Sequence, residues 1–126
     1  MRPKKNILYI CANDRTLSWR SYGLMLRGYR VIKANDIEQL PVFAEFDLVL
    51  IEMQYISASN DLAKIVQGVA PDVPILIIGK THRTPAYLAV PFIPDDAPPV
   101  ELFSVVRTMI TRKRGPKKRP AVEVGA

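Results

Sequence analysis

Residues 47–52 read Asp-Leu-Val-Leu-Ile-Glu, and this stretch is the clearest fold signal in the chain. Its four consecutive apolar residues form a run that is too short for a buried helix. An apolar run without alternation is typical of a strand that is buried on both faces of a parallel sheet. We therefore predict a central strand over 47–52.

Apolar runs elsewhere predict the neighbouring strands. The strand signals lie at 7–11, 29–33 and 74–79, and a weaker one lies at 86–90. Helical signals separate them. They indicate a helix from Asn13 or Asp14 to about Arg27, a short helix over 36–43, a helix opened by Ser57 or Ser59, and a last helix that begins near Pro98 and Pro99.

Strands that alternate with helices predict an α/β fold. The expected architecture is an open, doubly wound, flavodoxin-like sheet of five parallel strands with helices on both faces. In such folds the ligand crevice lies at the carboxyl ends of the strands. Those ends fall here at 11–14, 52–54, 79–81 and 90–92. Any chemical function is expected at these positions.

Composition limits the class of protein. The 126 residues are 48% hydrophobic, which suits one domain with a real core. One cysteine and one histidine exclude an internal disulfide framework and leave too few ligands for a zinc site. We recognise no signal peptide, and no apolar run approaches the roughly 20 residues of a membrane span. A cytoplasmic protein without membrane association or cofactor is expected.

The net charge of +6 comes from the two ends of the chain. Residues 6–110 contain nine basic and eleven acidic residues, so the folded part is not basic. We divide the chain into a basic lead (1–5), a domain (6–111) and a basic tail (112–126), which we expect to be disordered. The tail's cations could contact nucleic acid nonspecifically or an acidic protein face. They are Arg112, Lys113, Arg114, Lys117, Lys118 and Arg119.

Five fragments in register resemble the response-regulator receiver (CheY-like) family over about residues 5–112. They are Ile7-Leu8-Tyr9-Ile10, Gly28-Tyr29-Arg30-Val31, Asp47-Leu48-Val49-Leu50-Ile51, Pro74-Ile75-Leu76-Ile77-Ile78 and Pro91-Phe92. The resemblance implies two-component signal transduction by phosphorelay. In that family, acids after the first strand hold Mg²⁺, an Asp after the third accepts the phosphoryl group, a Thr or Ser ends the fourth, and a Lys precedes Pro-Phe.

Every chemical position of the family is changed in this chain. The resemblance places the metal-holding acids at Cys11 and Ala12, with Asn13 and Asp14 next, and the phosphoacceptor at Glu52. It places the hydroxyl residue at Gly79 and the lysine at Val90. Neither Cys11 nor Ala12 supplies the oxygen ligands that Mg²⁺ requires. We therefore expect a vestigial phosphorylation pocket and a pseudo-receiver that binds no metal and takes up no phosphoryl group.

For several side chains the sequence allows two interpretations. Glu52 is either a permanent mimic of a phosphorylated aspartate or, the reading we favour, a tolerated acid at a solvated strand end. For Asp14 we favour an N-cap over a remnant of the acidic cluster. We favour packing over redox sensing for Cys11. Trp19 and Tyr22 either form a partner face or, as we favour, pack in or beside the core.

Only ten residues separate Gly79 from Val90, which is about half the family's usual number, so we expect the fourth helix to be missing or reduced. The face around strands four and five should therefore differ in shape from that of the family. We take it as the candidate interaction surface. Its residues are Lys80, His82, Arg83, Thr84, Tyr87, Phe103 and Arg107.

The sequence thus favours a non-catalytic receiver-like signalling module that acts by protein-protein interaction, independently of aspartyl phosphorylation. Its partner would be a signalling or transcriptional protein, and the family resemblance also allows a homodimer. The alternative is a nucleic-acid-associated regulatory protein that binds through the basic tail. Deletion of residues 111–126 discriminates between them, because only the second function is then lost.

Overall fold

The computed structural model describes residues 5–34, 45–53, 55–80 and 90–112. Its strands are β1 (Asn6–Cys11), β2 (Arg30–Ala34), β3 (Leu48–Glu52), β4 (Ile75–Gly79) and β5 (Phe92–Pro94), and its helices are α1 (Asp14–Leu26), α2 (Ile56–Val69) and α3 (Pro99–Arg112). All strand pairs are parallel, in the order β2-β1-β3-β4-β5. The predicted fold class is confirmed, and β3 is the central strand.

The core consists of two apolar layers, one on each face of the sheet. Alternate residues of a strand point to opposite faces. In β1, Ile7 and Tyr9 pack in the layer with α1 and α3, whereas Leu8 and Ile10 pack in the layer with α2. Burial on both faces explains why β1, β3 and β4 have apolar runs without alternation.

Side-chain hydrogen bonds to the backbone fix where α1 begins and connect α2 to the end of β3. The Asn13 side chain accepts a hydrogen bond from the Thr16 backbone N–H at 2.9 Å, so Asn13 is the N-cap and Asp14 is the first helical residue. α1 ends before Gly28, whose φ of +96° suits glycine. α2 begins at Ile56, ahead of the predicted serines. The buried Ser59 hydroxyl instead accepts a hydrogen bond from the Met53 backbone N–H at 3.1 Å.

The fifth strand lies later in the chain than predicted. β5 is Phe92–Pro94, so Val90 and Pro91 precede the strand and Phe92 begins it, whereas Pro91 and Phe92 were expected to follow it. The shift leaves twelve residues between β4 and β5, which matches the dozen or so that a parallel crossover needs. A proline is tolerated in β5 because this is an edge strand. The predicted helix over 36–43 and residues 81–89 lie outside the described residues.

The outward side of α1 differs from the prediction. Leu17 and Leu24 are buried as predicted, but Tyr22 and Met25 are 63% and 53% exposed. Trp19 is 72% exposed, so the favoured reading of Trp19 and Tyr22 as core or half-buried residues is wrong. None of the helices in the described ranges has the length and apolar character needed to cross a bilayer.

Candidate functional site at the carboxyl edge of the sheet

The carboxyl ends of the strands border an open cleft of about 970 Å³. The sheet register places Cys11 of β1 opposite Glu52 of β3, and Gly79 of β4 opposite Pro94 of β5. Five residues singled out from the sequence line this cleft, together with residues that were not. The lining is formed by Cys11, Ala12, Asn13, Thr16, Glu52, Met53, Tyr55, Ser57, Lys80 and Asp95.

The Glu52 carboxylate is engaged by two side chains from the face that carries α1. The Tyr9 hydroxyl donates a hydrogen bond to Glu52 Oε1 at 2.6 Å. The Arg20 guanidinium forms an ion pair with the same oxygen through Nη1. Both charged side chains are largely buried, with 21% of Arg20 and 13% of Glu52 exposed. The carboxylate at the end of β3 is therefore a partner in a closed polar cluster, and the favoured interpretation of Glu52 as an acid at a solvated strand end is wrong.

Arg20 links three elements of the fold. From α1, its Nη1 reaches Glu52 at the end of β3, and its Nη2 donates to the backbone carbonyl of Asp95, just after β5, at 2.7 Å. Burial alone would lower the pKa of Arg20, but hydrogen bonds with Tyr9 and Glu52 outweigh it and raise the pKa above its ordinary value. The guanidinium is thus fixed as a cation at this edge.

Arg20 and Tyr9 were not among the predicted site residues, although both carry a signal. Arg20 lies between the buried Leu17 and Leu24 of α1, close to the apolar stripe that faces the sheet. Tyr9 lies within a fully buried strand and carries a hydroxyl that needs a hydrogen-bond partner there. A cation and a hydroxyl near apolar positions on one face indicate a buried acceptor, and Glu52 is that acceptor.

Cys11 is a packed thiol beside this cluster. It is 1% exposed, and its Sγ donates to the Asn13 backbone carbonyl at 3.4 Å. Burial raises the pKa of Cys11 to about 11, and the nearby Glu52 charge adds to the effect. A thiol that stays protonated at neutral pH is a poor nucleophile and a poor metal ligand.

The donor set at this edge does not fit the Mg²⁺ ion that the receiver family uses. Mg²⁺ prefers oxygen ligands in octahedral geometry. The two residues at the end of β1 offer a protonated thiol at Cys11 and an alanine methyl at Ala12, and the carboxylate of Glu52, opposite Cys11, is paired with Arg20. Within the described part of the chain, no three His, Cys, Asp or Glu side chains are grouped closely enough to hold a metal ion.

The remaining predicted residues divide among several places. Gly79 ends β4 and is buried, and Val90 packs beside the apolar layer under α2, away from Glu52. Lys80 lines the carboxyl-edge cleft, whereas Phe103 and Arg107 line a groove along α3. His82, Arg83, Thr84, Tyr87 and the tail from Lys113 onward lie outside the described residues.

The solved structures with a similar fold include receiver domains and response regulators. The non-phosphorylated HemR receiver domain from Leptospira biflexa is 23% identical, with a TM-score of 0.77 over 94% of this chain and 99% of that one. A CheY-like receiver domain protein from Methanospirillum hungatei JF-1 is 15% identical, with a TM-score of 0.75 over 86% and 95%. A response regulator from Burkholderia pseudomallei, solved with a phosphorylated aspartic acid and a calcium ion, is 19% identical, with a TM-score of 0.68 over 86% and 69%.

These matches establish the fold class of the chain. It has the CheY-like, flavodoxin-type fold of response-regulator receiver domains, with the strand order described above. No protein-family model matches the chain, and no curated protein matches it.

Proposed function

We propose that this chain is a receiver-like signalling module that acts by contact with a signalling or transcriptional protein and does not depend on phosphorylation of Glu52. It would be a degenerate member of the receiver class and would catalyse no reaction of its own. The observation that carries the proposal is the cluster at the carboxyl edge. There Glu52 Oε1 accepts the Tyr9 hydroxyl and pairs with Arg20.

Phosphoryl transfer to a carboxylate has three requirements, and the carboxyl edge of this sheet is poorly suited to all three. The attacking oxygen must be free, the developing charge must be neutralised, and the transferred group must be clamped by hydroxyl or ammonium groups. Here the carboxylate is engaged, Cys11 and Ala12 stand where metal-holding acids would stand, and Gly79 ends β4 without a hydroxyl.

The cluster also supports a module with one fixed state. Phosphorylation switches act by adding charge that biases a two-state element. In this chain a carboxylate and a guanidinium already neutralise each other at the corresponding place, and Arg20 ties α1 to the ends of β3 and β5. The domain would therefore present the same surface whether or not a phosphodonor is present.

The first prediction is that the protein gains no phosphoryl group. After incubation with Mg²⁺ and acetyl phosphate, intact-mass spectrometry should show no adduct of about 80 Da. A receiver domain that keeps an aspartate at this position, treated in parallel, shows that the donor is active. Amide NMR spectra recorded with and without the donor should also coincide at residues around Glu52. An adduct that peptide fragmentation places on Glu52 would overturn phosphorylation independence.

A further inference from the structure

α1 has apolar residues on two sides. Leu17 and Leu24 pack toward the sheet, whereas Trp19, Tyr22 and Leu26 are 72%, 63% and 66% exposed. The exposed three follow one another at spacings of three and four residues, so they form a single stripe along the helix. A surface helix of a monomer usually carries polar residues on its outward side. This stripe therefore resembles a face that a partner covers.

The stripe borders a cleft between α1 and α3 of about 290 Å³. The lining is almost entirely apolar, with Ile93 and Pro94 of β5 beside the aromatic residues of α1 and Phe103 of α3. Gly23 allows this shape, because a Cβ at that position would lie 2.7 Å from Phe103 Cζ. The ring of Phe103 can therefore lie against the backbone of α1.

A second groove continues from this cleft past Phe103 and adds positive charge. It is lined by Arg27 and Arg107, with hydroxyl groups from α3. The Arg27 guanidinium lies over the Phe103 ring, 3.7 Å from its centroid, so a cation stands where the two grooves meet. Among the described residues that line the two grooves there are three arginines and no carboxylate. Arg20 is paired with Glu52, so Arg27 and Arg107 supply the positive charge beside the apolar cleft.

We propose that the α1–α3 groove, meaning the cleft and its continuation past Phe103, binds an acidic amphipathic segment of a protein partner. The proposal rests on the protein-contact function above and names the surface and the chemistry that would carry it. Apolar side chains of the segment enter the cleft beside Trp19 and Leu26. Its carboxylates meet Arg27 and Arg107, which gives specificity and speeds association.

Charge disfavours the other occupants. A symmetric dimer through this groove would bring each copy's Arg27 and Arg107 against the same patch of the other copy. The chain's own tail carries six basic residues in 112–119 and would meet like charge. A nucleic acid would contact the two arginines, but the adjoining cleft is lined mostly by aliphatic side chains and prolines, which suit side chains of a peptide better than bases.

In the test, a displayed library of random peptides, about 16 residues long, is selected for binding to the full 126-residue chain. We expect the selected peptides to be enriched in Asp and Glu over Lys and Arg, together with Leu, Phe or Trp. The preferred peptide is then synthesised and titrated. Trp19 is the chain's only tryptophan, so its emission should shift to shorter wavelength as the groove is filled.

Matched variants locate the binding. Tyr22→Glu combined with Leu26→Glu should weaken the peptide at least about tenfold, whereas Ile65→Glu combined with Val69→Glu, at exposed positions of α2 on the opposite face of the sheet, should not. Arg107→Glu should weaken it and reduce the salt dependence, whereas Lys33→Glu, on edge strand β2 and outside the lining of both grooves, should not. All these side chains are exposed, so circular dichroism should show unchanged folding.

Several results would overturn the proposal that the α1–α3 groove binds an acidic segment. They are a selection without acidic excess, a selection without any enriched peptide, or a peptide that binds the α1 double variant as tightly as the parent. If a single-stranded oligonucleotide quenches Trp19 fluorescence and binds more tightly than the peptide, the groove belongs to a nucleic acid. If sedimentation shows a dimer that the α1 double variant abolishes, the groove belongs to a second copy of the chain. None of these results affects the phosphodonor measurement, so failure of the surface and failure of the proposed function remain distinguishable.

Discussion

Replacement of Arg20 by methionine should lower the free energy of unfolding by about 2–3 kcal/mol at pH 7. Removal of one partner of a buried ion pair costs about 3–5 kcal/mol because the other charge is left uncompensated. Here both side chains keep some contact with water, which reduces the cost. Glu52 would retain only the Tyr9 hydroxyl, and the Asp95 carbonyl would lose its donor. Methionine keeps the apolar stem of the side chain in place.

A double-mutant cycle with Glu52→Gln measures the pair itself. The double variant should be less destabilised than the sum of the two single variants, with a coupling free energy of about 1–2 kcal/mol from urea unfolding. Arg15→Met, at an exposed position of the same helix, is the control and should change stability by no more than about 0.5 kcal/mol. Strict additivity would show that the cluster does not hold α1 to the sheet.

Most of the sheet could be predicted from the sequence because the strand signals lie within short, continuous stretches of the chain. The apolar runs at β1, β3 and β4 are buried on both faces, and no other element accommodates such short runs without polar residues. The termination of α1 was predictable for a similar reason, since Gly28 adopts a positive φ that other residues avoid. These signals need no knowledge of distant parts of the chain.

The cluster around Glu52 could not be predicted in the same way because its members come from different elements. Comparison with the receiver family indicates which site side chains are replaced at a strand end. It does not show that the Arg20 side chain of α1 contacts Glu52 there. Arg20 lies 32 residues before its partner, and Tyr9 lies 43 residues before it. Only the packing of α1 on β1, which pairs with β3, brings the three side chains together.

The position of β5 depended on a similar long-range constraint. Residues 86–90 have the stronger strand propensity, but the crossover from β4 then has too few residues. Pairing of Phe92 with Ile77 and of Ile93 with Ile78 satisfies both the crossover length and the burial of Ile93. Chain connectivity thus outweighed local propensity, and it moved Val90 away from the edge where the family places its lysine.

The second large effect is expected at alkaline pH. Burial raises the pKa of Cys11 from 9.0 to about 11, and burial together with the Glu52 charge raises the pKa of Tyr9 well above its ordinary value of 10.0. Below pH 9 both groups are protonated in the folded and unfolded states, so the full stability is present. Above pH 9 the unfolded thiol loses its proton first, and above pH 10 the unfolded phenol follows. Stability must therefore fall as pH rises.

The size of this loss follows from linkage between protonation and folding. One proton difference costs about 1.4 kcal/mol per pH unit, so Cys11 alone should remove about 2–3 kcal/mol between pH 9 and pH 11. Cys11→Ser keeps a donor for the Asn13 carbonyl but does not ionise in this range, so urea unfolding at half-unit pH steps should show a flatter profile from pH 9. Tyr9→Phe should lower stability by about 1 kcal/mol below pH 10 and flatten the profile only above pH 10. Parallel profiles for the parent and Cys11→Ser would mean that the thiol is accessible to solvent, and they would contradict its place in the core beside Glu52.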